Sequence, residues 1–286
     1  MPETQRQEIH AIIVKVFVDD RAKSEVLAFH FLRAGNKKKG CEMLYEASIN
    51  ANMLFAYKEA SNNLGQAIAE SPTKLLKAAY MSYSAWIRST MFDSNNACKL
   101  ATEALEIFAE EMGDDSLLPS PKNIPSDQVY KQARMEWEGV PGGWKMPQNV
   151  SGRSILVGTD SDLRPKTVEE LMLVYCRYCI VTCFASGNPL FIKWLVMKRG
   201  FTPADVMVGG KLDRIFDVEV FRLRKLCYDL RVGIPFAQLS MLFPMRGMYL
   251  REPEVVQMCY QHVTTISHYM GDQIKNISGE DPESYG

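Results

Sequence analysis

Cys176, Cys179 and Cys183 have the spacing C-x-x-C-x-x-x-C, and three thiolates are a donor set that can hold zinc or an iron–sulfur cluster. On a helix these positions share one side. Their neighbours Val174, Tyr175, Tyr178, Ile180 and Val181 are those of a buried helix, whereas metal thiolates usually come from turns that wrap the ion. Cysteine is also an ordinary core residue, so no metal or other cofactor is expected. His10, His30, His262 and His268 show no H-E-x-x-H or comparable spacing. Glu110-Glu111 and Asp114-Asp115 flank a helix end and read as a solvated face rather than a metal–diphosphate site. Gly35 to Gly40 has the look of a phosphate loop, but it continues Cys41-Glu42 where Lys-Ser/Thr is required. With no G-x-S-x-G and no dinucleotide glycine fingerprint, nothing asks for an enzyme or a small-molecule substrate.

The group that does demand a partner is Arg177. It sits within Leu171, Leu173, Val174, Ile180, Val181 and Phe184, apolar on almost every side, a pattern a helix tolerates when protein surrounds it. A guanidinium there needs a carboxylate or a phosphate within reach. Asp217, in Arg214-Ile215-Phe216-Asp217 about 40 residues on, stands where another helix begins and is the expected carboxylate. The helix carrying Arg177 starts at a capping box, Thr167 with Glu170.

Cys176-Arg177-Tyr178-Cys179, then Asn188-Pro189 and Trp194, then Gly200-Phe201, then Phe216-Asp217 resembles the core block of coat proteins from flexuous filamentous plant viruses. Trp194 stands farther from Pro189, and Phe216 farther from Phe201, than in that family. Val26-Leu27-Ala28-Phe29-His30-Phe31 is similar to a short apolar block near the start of some nucleoproteins of segmented negative-strand RNA viruses. Both families are helical proteins that polymerise along single-stranded RNA. The coat-protein resemblance implies that Arg177 and Asp217 form a buried ion pair beside the RNA. It also implies phosphate contacts from Arg222, Arg224, Lys225 and Arg231.

The composition bounds these readings. The chain has 286 residues, 47% hydrophobic and 23% charged, enough for two lobes with a real core. No apolar run reaches the roughly 18–20 residues of a membrane span, and MPETQRQE is not a signal peptide. Seven cysteines at irregular spacing point to a reducing compartment. The net charge of −1 is uneven: roughly 14 Lys/Arg stand against roughly 7 Asp/Glu between Arg164 and Arg251. Basic charge is therefore local, as a groove for phosphates needs, although helix surfaces commonly carry such excesses.

The elements that must position these groups are helical. Residues 1–24 contain the β-branched run Ile12-Ile13-Val14-Lys15-Val16-Phe17-Val18, which suits a strand or a terminal arm reaching a neighbouring subunit, or a segment packed on its own domain. Helices are expected at Lys23–Arg33, 41–49, 51–70, 73–91 and 94–112. Lys37-Lys38-Lys39 is placed in an exposed turn, Asn62-Asn63 and Gly65 are possible interruptions, and Thr73 and Ser94 are N-caps. On the 73–91 helix Lys74, Lys77 and Arg88 alternate with Tyr80, Tyr83 and Trp86, offering charges for phosphates and rings for bases. The stripe Leu76, Tyr80, Tyr83, Ile87 is of a kind that more often means a core face. Residues 114–165, rich in Pro and Gly around a short helix near 127–138, form a linker. Beyond the Arg177 helix, Asn188-Pro189 opens a helix that Gly200 closes, Thr202-Pro203 opens a short one, and Asp217–Arg231 forms another. Arg246 and Arg251 lie on connecting loops before a last helix from about Pro253.

The expected fold is thus all-α, a two-lobed helical bundle with extended N- and C-terminal arms. Its parts are an arm at 1–24, lobes at 25–113 and 166–270, a linker at 114–165 and a tail at 271–286. The expected function is that of a viral capsid or nucleocapsid protein, found in the virion and host cytoplasm. It binds single-stranded RNA through Lys74, Lys77, Arg88, Arg177, Asp217, Arg222, Arg224, Lys225, Arg231 and Arg246, and self-associates into rings or filaments without membrane, cofactor or catalysis. The rivals are a helical protein-interaction module and an all-helical enzyme.

Overall fold

The computed structural model describes residues 2–19, 23–129, 131–132, 168–206, 214–220 and 223. Among these the fold is all-α, with no strand. The chain divides into two compact units, residues 1–118 and 119–286.

The first unit is a run of six helices, each packed on the next: α1 (Glu3–Asp19), α2 (Ser24–Arg33), α3 (Lys37–Met53), α4 (Tyr57–Glu70), α5 (Lys74–Thr90) and α6 (Ser94–Met112). Short connections make successive helices antiparallel neighbours. Small residues set the spacing: Ala60, Ala67, Ala78, Ala79, Ala97, Ala101 and Ala104 are all buried, so backbones approach closely. At Gly40 a Cβ would lie 2.6 Å from the Leu32 side chain, so any larger residue there would force Leu32 to shift where α3 meets α2. The α5 core stripe forms the aromatic centre. Tyr80, Tyr83 and Trp86 are 1%, 0% and 4% exposed. Tyr83 stacks on Trp86 at 5.4 Å and meets Tyr45 of α3 edge-on at 5.4 Å. Burial pushes the phenols of Tyr45 and Tyr83 upward.

Several boundaries differ from the sequence reading. The N-terminal segment is a helix, not an extended arm, because its inward residues His10, Ile13, Val14 and Phe17 recur at helical spacing and meet α2. Lys37-Lys38-Lys39 forms the first turn of α3, with Asn36 accepting from the Lys39 N–H at 3.2 Å. Helix α4 runs through Asn62-Asn63 and Gly65 unbroken, held by buried Ala60, Leu64 and Ala67. The break falls instead at Leu54–Ala56. Thr73 caps α5 through the Leu76 N–H, as expected, while the residue before α6 is Asp93 rather than Ser94.

The α1–α2 contact carries a proton-dependent element. His10 Nδ1 and His30 Nδ1 lie 2.8 Å apart, so one ring donates and the other must accept, which two imidazolium ions cannot do. Burial, then the charge of His10, lowers the pKa of His30. A depressed folded-state value means the unfolded chain binds the extra proton first, so this contribution is complete above the ordinary imidazole value of about 6.5 and is lost as pH falls through His30's lowered pKa. Thermal melts from about pH 7.5 to pH 5 should show wild type losing more stability on acidification than His30→Leu. Equal losses would contradict the assignment.

In the second unit, α7 (Val168–Ala185) and α8 (Pro189–Arg199) meet at 106°. Asn188 makes the corner, accepting from the Leu190 and Phe191 N–H groups at 2.9 and 3.2 Å. Gly200 closes α8 at φ +76°. Thr202 and Asp205 cap one another within a single turn rather than opening a helix. Residues 127–129, 131–132 and 214–220 are helical. Among the described residues no single helix is long and apolar enough to cross a membrane. Thr167 of the expected capping box, most of the 114–165 linker and the tail lie outside the described residues.

Candidate functional site

The site begins with α7, whose Met172, Val174, Tyr175, Cys176, Cys179, Ile180 and Val181 are buried. This enclosure makes a charge on the same helix costly unless it is paired. Arg177 is 17% exposed along its side chain and donates from a terminal guanidinium nitrogen to Glu219 Oε2 at 2.7 Å, with Glu219 28% exposed. The partner is therefore Glu219, not Asp217. Helix register explains the difference. Phe216 stacks on Phe184 with centroids 4.7 Å apart. Phe184 is seven residues after Arg177, almost directly above it on α7. On the opposing helix, Glu219 is three residues from Phe216 and shares its face, whereas Asp217 is rotated by about 100°. The two contacts form rungs between antiparallel segments, and the aromatic rung selects the acidic one.

Asp217 is half-buried on the same segment. Arg214 is paired with Asp127 at 2.6 Å, and Arg199 Nε donates to the Pro119 carbonyl at 3.1 Å. Arg222, Arg224, Lys225, Arg231 and Arg246 lie outside the described residues.

On the first unit, the expected cations of α5 are mostly engaged. Lys74 bridges Glu110 at 2.7 Å and Glu111 at 3.2 Å on α6; these hydrogen bonds raise its pKa. Arg88 pairs with Asp93 at 2.9 Å across the α5–α6 turn. The Asp93 carboxyl is held low first by Asn96 and then by Arg88. Lys77, half-buried on α5, makes no ion pair among the described residues. The rings offered for bases are core, and Glu110 and Glu111, on an exposed face as expected, also pair with Lys74. The three cysteines of α7 are buried, and among the described residues no group of three His, Cys, Asp or Glu side chains could hold a metal.

A feature absent from the sequence reading lies where α3 turns into α4 and α5 into α6. Both helices end in Schellman motifs: Ala56 N–H bonds to the Ala51 carbonyl and Asp93 N–H to the Arg88 carbonyl, both at 2.9 Å. The position after the cap, ordinarily glycine, is Phe55 at φ +58° and Phe92 at φ +61°. A left-handed conformation costs a residue with a Cβ roughly 1–2 kcal/mol. Yet both rings face solvent, at 77% and 94% exposure. Beside them is a pocket of about 570 Å³ lined by Phe55, Ala56, Tyr57, Lys58, Glu59, Asn62 and Met91. The available signal was a helix end without glycine, in Met53-Leu54-Phe55 and Met91-Phe92-Asp93.

Comparison with protein-family models, curated proteins and solved structures finds no match for the chain. What stands is an all-α protein with a clamped arginine in one unit and two strained, exposed phenylalanines in the other.

Proposed function

We propose that this chain is a capsid- or nucleocapsid-type protein that binds single-stranded RNA and self-associates into rings or filaments. The observation that carries the reading is Arg177, set in Cys176-Arg177-Tyr178-Cys179 and held by a carboxylate 42 residues on, the arrangement implied by the coat-protein resemblance with Glu219 in place of Asp217. In this reading the pair is a positioning element that fixes α7 against the following helix. Phosphate contacts come from the basic sequence beyond it, Arg222, Arg224, Lys225, Arg231 and Arg246, and from Lys77 on the first unit. Lys74 and Arg88 contribute only by exchanging their carboxylates for phosphates. No catalysis, cofactor or membrane enters, and the protein works in the host cytoplasm and the virion.

Binding by phosphate neutralisation makes log affinity fall linearly with log salt, by about 0.7 per neutralised phosphate on a single strand. Titrating a labelled single-stranded RNA across salt, by anisotropy, should return a slope worth several phosphates. The Arg224→Ala/Lys225→Ala variant should lower that slope by up to about 1.4. Protein that purifies free of nucleic acid and ignores added RNA at low salt would overturn the reading.

A second reading, a helical protein-interaction module, draws on the same geometry. Lys74, Arg88 and Arg177 already hold carboxylates, and Leu54, Phe55 and Phe92 are the most exposed large apolar side chains of the first unit's described residues.

A further inference from the structure

We propose that the end of the first unit formed by the α3–α4 and α5–α6 turns is a self-association surface, in which Phe92 of one copy enters the pocket beside Phe55 of a second copy. Left-handed backbone at a bulky residue is strain that glycine would relieve. The same device occurs twice, at turns that share one end of the unit, since Met91 and Phe55 line the same pocket. Folding gains little from a Phe92 ring at 94% exposure or a Phe55 ring that is 77% exposed and meets Tyr57 edge-on at 6.2 Å, so strain retained there points to a use outside the fold.

A second copy fits better than other occupants for two reasons. The surface carries a projecting ring and a pocket side by side, so under a twofold axis each copy's ring meets the other's pocket, as an isologous contact requires. Its charges are also balanced: Lys58 adjoins Glu59 on the pocket wall. Across a twofold the exposed Lys58 and Glu59 can face their opposites, whereas an anionic partner such as RNA or a lipid headgroup finds no net attraction. Aromatic anchors in a pocket are the usual centre of such contacts.

The proposal is a closed twofold contact, additional to the head-to-tail contact that rings or filaments of the function above require, and it needs no RNA, so it is tested without it. Full-length protein, nuclease-treated and in high salt, is followed by sedimentation velocity across concentration. Wild type should associate reversibly. Phe92→Gly and Phe55→Gly should each weaken association by about tenfold or more while raising the melting temperature by a few degrees. This opposed pair of effects is one that a structural role does not produce. Wild type that stays monomeric throughout, or glycine variants that associate as wild type does, would overturn it. So would loss, in the variants, of binding to anionic or neutral lipid vesicles with association unchanged. RNA affinity measured separately on the glycine variants tests the functional reading independently.

Discussion

Replacing Arg177 with Met should destabilise the protein by about 2–3 kcal/mol, somewhat less than the 3–5 kcal/mol typical when one partner of a fully buried pair is removed. The discount follows from exposure: 17% of the Arg177 side chain and 28% of Glu219 still face solvent. The loss comes from Glu219, which loses the Arg177 donor at 2.7 Å. Changing both ends, Arg177→Met with Glu219→Leu, should recover most of it, because replacing a buried ion pair with apolar groups of similar volume is often neutral or stabilising. A double-mutant cycle between 177 and 219 by urea denaturation should give a coupling above about 1 kcal/mol, and the cycle between 177 and 217 less than about 0.5 kcal/mol. A larger coupling to Asp217 would restore the partner that the sequence alone suggested. The folded double variant also separates two roles. If the pair only positions α7, RNA affinity survives in it; if the guanidinium itself meets phosphate, affinity falls though the fold is intact.

Helix existence was legible wherever the chain writes its own punctuation. Gly35, Gly113 and Gly200 stop helices at positive φ, and Thr73 and Asn188 start them through side-chain oxygens. Where punctuation is missing, the reading slipped. The α3–α4 junction has phenylalanine where glycine is usual, so the break is expected near residue 50 with a possible interruption at Asn62-Asn63, although Ala60, Leu64 and Ala67 keep that second segment helical through burial. The β-branched run of α1 suggested a strand by composition, but the spacing of His10, Ile13, Val14 and Phe17 already had the helical period. The candidate site divides in the same way. That Arg177 needed a carboxylate or a phosphate follows from burial cost alone, and the segment about 40 residues on was the candidate that the coat-protein resemblance also pointed to. Which carboxylate it takes depends on a rotation of about 100°, set by the Phe184–Phe216 stack, a tertiary contact between helices far apart in sequence. Ion pairs between α5 and α6 were hidden for the same reason: Lys74 and Glu110 are 36 residues apart, and each alone looks like solvated surface.

The alternation of cations and rings on α5 gives the other large expected effect. Trp86→Ala should cost about 3–5 kcal/mol, because the indole is 4% exposed and stacks on Tyr83, which in turn packs on Tyr45. Tyr83→Phe should cost only about 1 kcal/mol, since it keeps the ring and removes one hydroxyl, whose neighbour is Asn52. A base-stacking platform behaves in the opposite way. Its removal leaves stability nearly unchanged and lowers single-stranded RNA affinity by about 1–3 kcal/mol per base. Chemical denaturation and RNA anisotropy on the same preparations distinguish the two. Trp86→Phe, which keeps a ring in the core, serves as the folded reference and should bind RNA as wild type does. Weaker binding by Trp86→Phe at native stability would move the rings of α5 from the core to the RNA. The expected result leaves α5 as the scaffold on which Lys77 stands, with any contact to RNA made by charge and none by stacking.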